Sequence, residues 1–195
     1  MKPYRVALLI LFFALMLGAC GSAEAPPKAS SSTTDEPAIT GEPAGFNAGD
    51  ISFAYNVISH HGQSVELAAL VPDRSSNSDL IALASTVSSA QGPERELMRV
   101  LLVQWNENPN DDSQQGNAVA GMVDDATVAR LQSSRGQEFD TLWLQSMIGH
   151  GQGAVAIAEG EIASGTNVDA IATARRMVDS QQAQIGQMQQ MLGAG

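Results

Sequence analysis

A repeat with a constant spacing of 90 residues runs through most of the chain and limits what the chain can fold into. Residues 50–102 align without gaps on residues 140–192, and 13 of these positions are identical. Chance alone would give about three or four identities, so the pattern indicates the duplication of one supersecondary unit. The identical positions in the first copy are Asp50, Ile58, His60, Val65, Ala68, Asn77, Asp79, Ile81, Ala82, Ala84, Gln91, Met98 and Leu102.

Each copy of the repeat predicts two amphipathic helices. In the last of the four, the inward positions alternate in steps of three and four residues, which is the helical period; they are Ile171, Ala174, Val178, Gln181, Ile185, Met188 and Leu192. A short polar connection at 71–78 makes the first two helices antiparallel neighbours. Asn77 and Asn167 are the predicted N-caps of the second helix in each copy.

The predicted fold is therefore all-α, a four-helix bundle built from two duplicated helical hairpins. We expect the long helices near 49–70, 78–104, 137–163 and 168–192, with a short helix near 125–134. Gly92-Pro93 predicts a break or a kink in the second helix, because proline removes a backbone donor and clashes with the preceding turn. The polar stretch 106–122 predicts a long crossover loop between the hairpins.

The first 48 residues differ in composition from the repeat and predict export. Lys2 and Arg5 precede an apolar run of 12 residues at 6–17, which suits the core of a signal peptide and is too short to span a bilayer. Leu17-Gly-Ala-Cys20 then has the pattern of a bacterial lipobox, whose cysteine becomes the lipidated first residue; the alternative is an ordinary secretory signal. We predict a lipoprotein signal peptide at 1–19, lipidated Cys20 with a disordered Ala/Ser/Pro linker at 20–48, and a bundle domain at 49–195.

Charge and motif content exclude several classes of function. Lys and Arg number 10 against 21 Asp and Glu, so no basic surface is available for phosphates and no nucleic-acid partner is predicted. Cleavage of residues 1–19 removes two basic residues and leaves a net charge of 8 − 21 = −13. Anionic lipids would repel that charge, so the lipid on Cys20 is the predicted membrane attachment. The Glu-x-x-His pairs of di-iron enzymes and the Gly-x-Ser-x-Gly of hydrolases are absent, and we predict that the protein is not an enzyme.

All three histidines fall at one position of the repeat. His60 and His150 are equivalents and are predicted to point inward, whereas His61 lies about 100° further around the first helix. Gln91 and Gln181 each follow the equivalent histidine by 31 residues and should lie at a similar height in their hairpins. A cluster of His, Gln and Met side chains inside the bundle is therefore predicted; its methionines are Met147, one turn before His150, and Met98 and Met188.

This combination of side chains suits a metal ion. Imidazole binds copper, zinc, iron and nickel, thioether selects Cu(I), and bundle interiors hold such sites. The predicted ligands are His60, His61, His150 and Met147, with Gln91, Gln181, Met98 and Met188 as further ligands or supporting partners. The structural alternative is that the histidines are core residues hydrogen-bonded to the glutamines, with the methionines as core filler.

The repeat resembles the bacterial domain-of-unknown-function 305 family, over roughly residues 48–193. The segments that carry the resemblance are 50–61, 120–122, 136–140, 147–150, 153–158 and 181–188. The resemblance implies a ferritin-like four-helix bundle that is exported, in some members lipidated, and in some members linked to copper. It covers the whole predicted domain and supports copper as the ion.

Several positions depart from the pattern that this resemblance implies. The second His-His pair is His150-Gly151, and the acidic residue expected after Gln181 is Gln184. Methionines expected in the first helix of each copy are replaced by Leu67 and Ile157. Two hypotheses follow: an extracytoplasmic copper-binding lipoprotein that does not catalyse, or a structural or partner-binding surface lipoprotein that has lost metal binding.

Overall fold

The computed structural model describes residues 45–111, 113–114 and 119–193, which form an all-helical bundle. The predicted signal peptide, Cys20 and most of the linker lie outside the described residues. The helices are α1 (Ala48–Ala69), α2 (Val71–Arg74), α3 (Ser78–Gln104), α4 (Asp125–Ser133), α5 (Gly136–Ser164) and α6 (Val168–Gly193). The four long helices agree with the predicted ranges within two residues, and α4 is the predicted short helix.

Side-chain caps fix where the helices begin. The Asn77 side chain accepts from the backbone N–H groups of Asp79 and Leu80, and Asn167 accepts from those of Asp169 and Ala170. These two caps are equivalents in the repeat, as predicted. Each satisfies backbone donors that the first turn of a helix leaves without a partner.

The bundle consists of two antiparallel hairpins, α1 with α3 and α5 with α6, that meet mainly through α1 and α5. The Asn47 side chain at the start of α1 donates to the carbonyl of Ser164 at the end of α5, at 2.9 Å. The Tyr55 hydroxyl donates to the carbonyl of Asn108, just beyond α3, also at 2.9 Å. One end of the bundle therefore holds the starts of α1 and α6 and the ends of α3 and α5.

The core has two apolar clusters with polar residues between them along every long helix. The first cluster takes its buried apolar residues from segments 53–58 of α1, 98–102 of α3 and 170–177 of α6, together with Ala158 of α5. The second takes them from segments 67–68, 80–87 and 139–147, together with Met188. Apart from Gly151, Gly153 and Ala154 of α5, the buried residues between these stretches are polar; they are His60, His61, Ser64, Gln91, His150, Gln181 and Gln184. We call these seven residues the central polar layer.

Helix α3 is continuous through Pro93, so a break at this position is wrong, and a kink stays a prediction. Pro93 is exposed. Proline inside a helix removes a hydrogen bond, but the fifteen residues before and eleven after it belong to the same packed helix. None of the helices in the described part of the chain is long and apolar enough to cross a membrane.

Candidate functional site

The rings of His60 and His150 stack at the centre of the polar layer. Their centroids are 3.7 Å apart and their planes are inclined by 24°. The Nε2 atom of His60 lies 3.1 Å from the carbonyl oxygen of His150, and Nε2 of His150 lies 3.2 Å from the carbonyl oxygen of His60. Each ring thus approaches the backbone of the other histidine, as expected when two duplicated hairpins are related by an approximate two-fold axis.

Burial keeps both stacked rings neutral. Loss of solvent and the neighbouring imidazoles lower the pKa of His60 from 6.5 to about 2. Burial likewise lowers the pKa of His150 to about 4, although hydrogen bonds to the carbonyls of Gly121 and His60 oppose the shift. A neutral imidazole carries one N–H, so each ring has one donor nitrogen and one acceptor nitrogen.

Both ring nitrogens of His150 are engaged. Its Nδ1 lies 3.1 Å from the carbonyl oxygen of Gly121 and its Nε2 lies 3.2 Å from that of His60, but a neutral ring can donate to only one of them. We place the proton on Nδ1, because the hydroxyl of Ser64 is a donor within reach of Nε2, whereas Nδ1 faces an acceptor. Its Nε2 then accepts from the hydroxyl of Ser64 at 2.7 Å. Gly121 has φ +79, and a Cβ at Gly153 would run into the Ala120 carbonyl, so glycine is required on both sides of this approach.

His61 points away from the stack and contacts α3. Its Nε2 lies 3.0 Å from Glu94 Oε2, and the ring is fully buried while the Glu94 side chain is 20% exposed. A carboxylate accepts, so Nε2 donates and Nδ1 has no partner. The helical spacing did not identify Glu94 as the partner of His61. The repeat could have indicated this pair, because His61 and Glu94 are both replaced in the second copy, by Gly151 and Gln184.

Three buried atoms of the polar layer have no hydrogen-bond partner: His60 Nδ1, His61 Nδ1 and Gln91 Oε1. Each histidine donates a hydrogen bond from Nε2: His60 to the carbonyl of His150, and His61 to the carboxylate of Glu94. Histidines that bind metal ions are held in this way, because the second hydrogen bond fixes the tautomer and the ring orientation. Each of the two adjacent histidines therefore has one ring nitrogen free to bind a metal ion.

The number of ligands restricts which ion would fit. No group of three or more His, Cys, Asp or Glu side chains within the described ranges is arranged to hold a metal. Structural zinc sites use four such ligands. The arrangement is better matched to an ion that accepts few nitrogen ligands, and imidazole is a good ligand for copper.

The structure does not gather the predicted methionines into one place. Met98 lies in the first apolar cluster, whereas Met147 and Met188 lie in the second. All three are at most 3% exposed. Because the two-fold relation reverses the direction of the second hairpin, equivalent residues outside the polar layer lie toward opposite ends of the bundle. Gln91 and Gln181, by contrast, both lie in the polar layer.

A second buried polar group, missed by the sequence analysis, lies at the end of the bundle. Asp50 accepts hydrogen bonds from the backbone of Asn47, Thr166 and Asn167, which ties the start of α1 to the start of α6. Glu161, 3% exposed, receives no hydrogen bond at either carboxyl oxygen. Burial and the adjacent Asp50 carboxylate raise the pKa of Glu161 to about 8, so its carboxyl holds a proton that it shares with Asp50.

Comparison with known protein families matches residues 50–192 to the domain of unknown function DUF305. The chain belongs to the DUF305 family. The matched segment covers both hairpins and the crossover between them, so the resemblance noted from the His-His, Gln and Met segments is confirmed. No curated protein matches the sequence.

Solved structures share the fold of this DUF305 chain. A putative secreted DUF305 protein from Streptomyces coelicolor is 29% identical, with a TM-score of 0.70 over 75% of this chain and 93% of that one. A DUF305 fragment from Deinococcus radiodurans is 26% identical, with a TM-score of 0.69 over 79% and 100%. CopM in its Cu(II)-bound form is 24% identical, with a TM-score of 0.66 over 74% and 96%. The predicted helical bundle is thereby confirmed.

Proposed function

We propose that this DUF305 chain is an extracytoplasmic, lipid-anchored protein that binds copper in its central polar layer and does not catalyse a reaction. The observation that carries the proposal is the pair of buried, unpartnered Nδ1 atoms on His60 and His61. Leaving buried acceptors without partners costs about 1–3 kcal/mol each. A bound cation would offset that cost by using both lone pairs.

In this proposal His60 and His61 are the ligands, and Glu94 and the His150 carbonyl orient them. Gln91, whose Oε1 is also unpartnered, is the further oxygen donor available in the same layer. His150 has a structural role, because both of its ring nitrogens are hydrogen-bonded to Gly121 and Ser64 and its ring packs against His60. Met147, Met98, Met188 and Gln181 then serve as packing around the site, which revises the larger ligand set expected from the sequence.

The structural neighbours support copper and an extracytoplasmic location. CopM, which shares this fold, has been solved with Cu(I), Cu(II) and Ag bound. The Streptomyces coelicolor protein is described as a putative secreted protein. The apolar run at 6–17 followed by Cys20 supports the same location and adds the lipid anchor. Mass spectrometry of the mature N-terminus should find a diacylated Cys20, and Cys20→Ala should leave the protein unanchored; an unmodified cysteine in the mature protein would contradict the anchor.

Metal binding is tested by titrating the purified protein with Cu(I) against a chelator of known affinity, with Zn(II) in a parallel series. We expect saturable Cu(I) binding that is lost in the His60→Asn/His61→Asn double variant. Ser59→Ala is the matched control, because Ser59 precedes His60 on α1, lies outside the central polar layer and donates its hydroxyl hydrogen to the carbonyl of Tyr55. Binding that survives in the double variant would contradict the proposed ligands.

The second candidate is a structural or partner-binding lipoprotein without metal. It is favoured by the full engagement of His150, which is what a purely structural histidine shows. A ligand that binds only the folded state stabilises it by about 2.7 kcal/mol at a concentration 100 times its Kd. Copper binding therefore predicts a clear rise in Tm with added Cu(I), whereas the second candidate predicts an unchanged Tm.

A further inference from the structure

The two copies of the repeat differ at three neighbouring positions of the polar layer. His61, Glu94 and Arg95 of the first hairpin are replaced by Gly151, Gln184 and Ile185 in the second. We infer that the first hairpin alone binds the metal ion, so that each chain takes up a single copper. This inference rests on the proposed function and specifies the stoichiometry and location of its site.

Both members of the hydrogen-bonded pair His61–Glu94 of the first hairpin are absent from the second. His61 and Glu94 are 3.0 Å apart and each needs the other, since a buried imidazole donor and a carboxylate satisfy one another. A glycine at 151 removes the imidazole, and an amide at 184 removes the negative charge. The second hairpin therefore lacks both the ligand nitrogen and the anion that would compensate a cation there.

In the second hairpin, neighbouring side chains fill the space that corresponds to the His61 imidazole. A Cβ at position 151 would lie 3.1 Å from Cγ1 of Ile185 and 3.2 Å from Oε1 of Gln181, both tighter than ordinary contacts. Ile185 and Gln181 thus cover the place where the second copy would carry an imidazole. In the first hairpin, Arg95 instead extends to the surface, where its Nε lies 3.5 Å from Glu96. The space that His61 fills in one hairpin is taken by these two side chains in the other.

The remaining histidine of the second hairpin does not restore the site. His150 donates through Nδ1 to Gly121 and accepts through Nε2 from Ser64, so neither nitrogen is free. His60, its equivalent, has a free Nδ1 because the first hairpin has no counterpart of the Gly121 contact on that ring. The crossover segment between the hairpins is what makes the two equivalent histidines different.

The inference is tested by measuring Cu(I) equivalents per chain in three forms of the purified protein. We expect one equivalent in the unaltered chain and none in His61→Gly/Glu94→Gln, which gives the first hairpin the residues of the second. Glu94→Gln alone should weaken binding by about 10- to 100-fold, the usual effect of removing a carboxylate that orients a ligand histidine. Glu96→Gln is the matched control, since it makes the same substitution at an exposed position of α3, and it should leave Cu(I) affinity unchanged.

The reverse graft tests whether the second hairpin lacks only these residues. Gly151→His/Gln184→Glu/Ile185→Arg should leave the capacity at one equivalent per chain, because both ring nitrogens of His150 stay engaged by Gly121 and Ser64. Circular dichroism checks its fold, and two equivalents in this variant would show that the engagement of His150 does not prevent binding. Two equivalents in the unaltered chain, or one that persists in His61→Gly/Glu94→Gln, would overturn the inference while leaving copper binding intact. No binding in any form would overturn the proposed function itself.

Discussion

A hydrogen bond between Ser64 and His150 joins the two hairpins at the centre of the bundle. The hydroxyl of Ser64 is the only donor that reaches Nε2 of His150 among the described residues, at 2.7 Å. The ring is about 1% exposed, so water does not replace a lost partner. A hydroxyl on one hairpin thus holds the tautomer of a histidine on the other, and the two hairpins are joined by a polar contact inside an apolar core.

Replacing Ser64 with alanine should therefore destabilise the protein markedly, although it removes a single oxygen atom. We expect Ser64→Ala to lower the free energy of unfolding by about 1–3 kcal/mol, because it leaves a buried acceptor unsatisfied. Urea denaturation measures this. Ser52→Ala, on the exposed face of the same helix, should change the stability by no more than about 0.5 kcal/mol. Equal effects of the two substitutions would show that the Ser64–His150 contact does not contribute.

At this scale, sequence predicted which residues would be buried but not what they would touch. Periodicity placed His60 and His150 inward, and both are at most 1% exposed. It did not predict that Gly121 would engage His150, because that contact depends on the path of a crossover loop. Asp50 and Glu161 were missed because Glu161 aligns with Val71 and has no acidic counterpart in the first copy of the repeat.

A glycine in these helices is required only where another segment of the chain packs against its backbone. Gly160 in α5 faces open space, whereas Gly153 in the same helix lies against the backbone of Ala120 and Gly121. Sequence alone marks both glycines as weak points of a helix, and only the packing distinguishes them.

Alanine substitution should accordingly have opposite effects at these two glycines. Gly160→Ala should stabilise the protein by about 0.5–1 kcal/mol, since it reduces the backbone entropy lost in forming a helix. Gly153→Ala should destabilise it by about 1–3 kcal/mol, because the new methyl group would displace the crossover segment. Thermal unfolding of both variants checks the prediction. Stabilisation in both cases would mean that the crossover segment is not held against α5.

The whole molecule should show a stability maximum near pH 6.5 that arises from opposing groups. His60 and His150 have lowered folded pKa values, so their contribution is complete above 6.5 and is lost as the pH falls. Glu161 has a folded pKa raised from 4.5 to about 8, so its contribution is complete below 4.5 and is lost as the pH rises. Asp50, whose pKa is lowered by hydrogen bonds that outweigh its burial, contributes only to losses below 3.8.

The net proton count gives the slopes of that profile. Between pH 4.5 and 6.5 the unfolded chain binds two more protons on histidines and the folded chain one more on Glu161, so stability rises by about 1.4 kcal/mol per pH unit. Between 6.5 and about 8 only the Glu161 proton differs, and stability should fall with a similar slope. Urea denaturation across this range in the absence of metal checks both limbs.

A variant separates the alkaline limb from the acidic one. Glu161→Gln keeps the shape of the side chain and can donate an amide hydrogen to Asp50 at every pH, so its stability should stay level between pH 6.5 and 8. Glu159→Gln, two residues away and exposed, should keep the falling limb of the unaltered protein. Parallel profiles in all three proteins would refute a shared proton at Glu161.

The whole-molecule architecture followed from the duplication, because two copies of an amphipathic hairpin have few ways to bury their apolar faces. The relative direction of the hairpins did not follow, and this is why Met98 and Met188 lie in different clusters although they are equivalents. Distances along a sequence locate a residue within its own hairpin. Only the packing of the hairpins on one another locates it in the bundle.

The mutual approach of His60 and His150 to each other's backbone carbonyls has an evolutionary consequence. A contact in which each half presents the same surface to the other is isologous, the form found in two-fold homodimers. A gene encoding a single hairpin would already specify this interface, with two chains taking the places of the two halves. Fusion of such a gene to its own copy would free each half to diverge, and the loss of one imidazole and one acid from the second half is divergence of that kind.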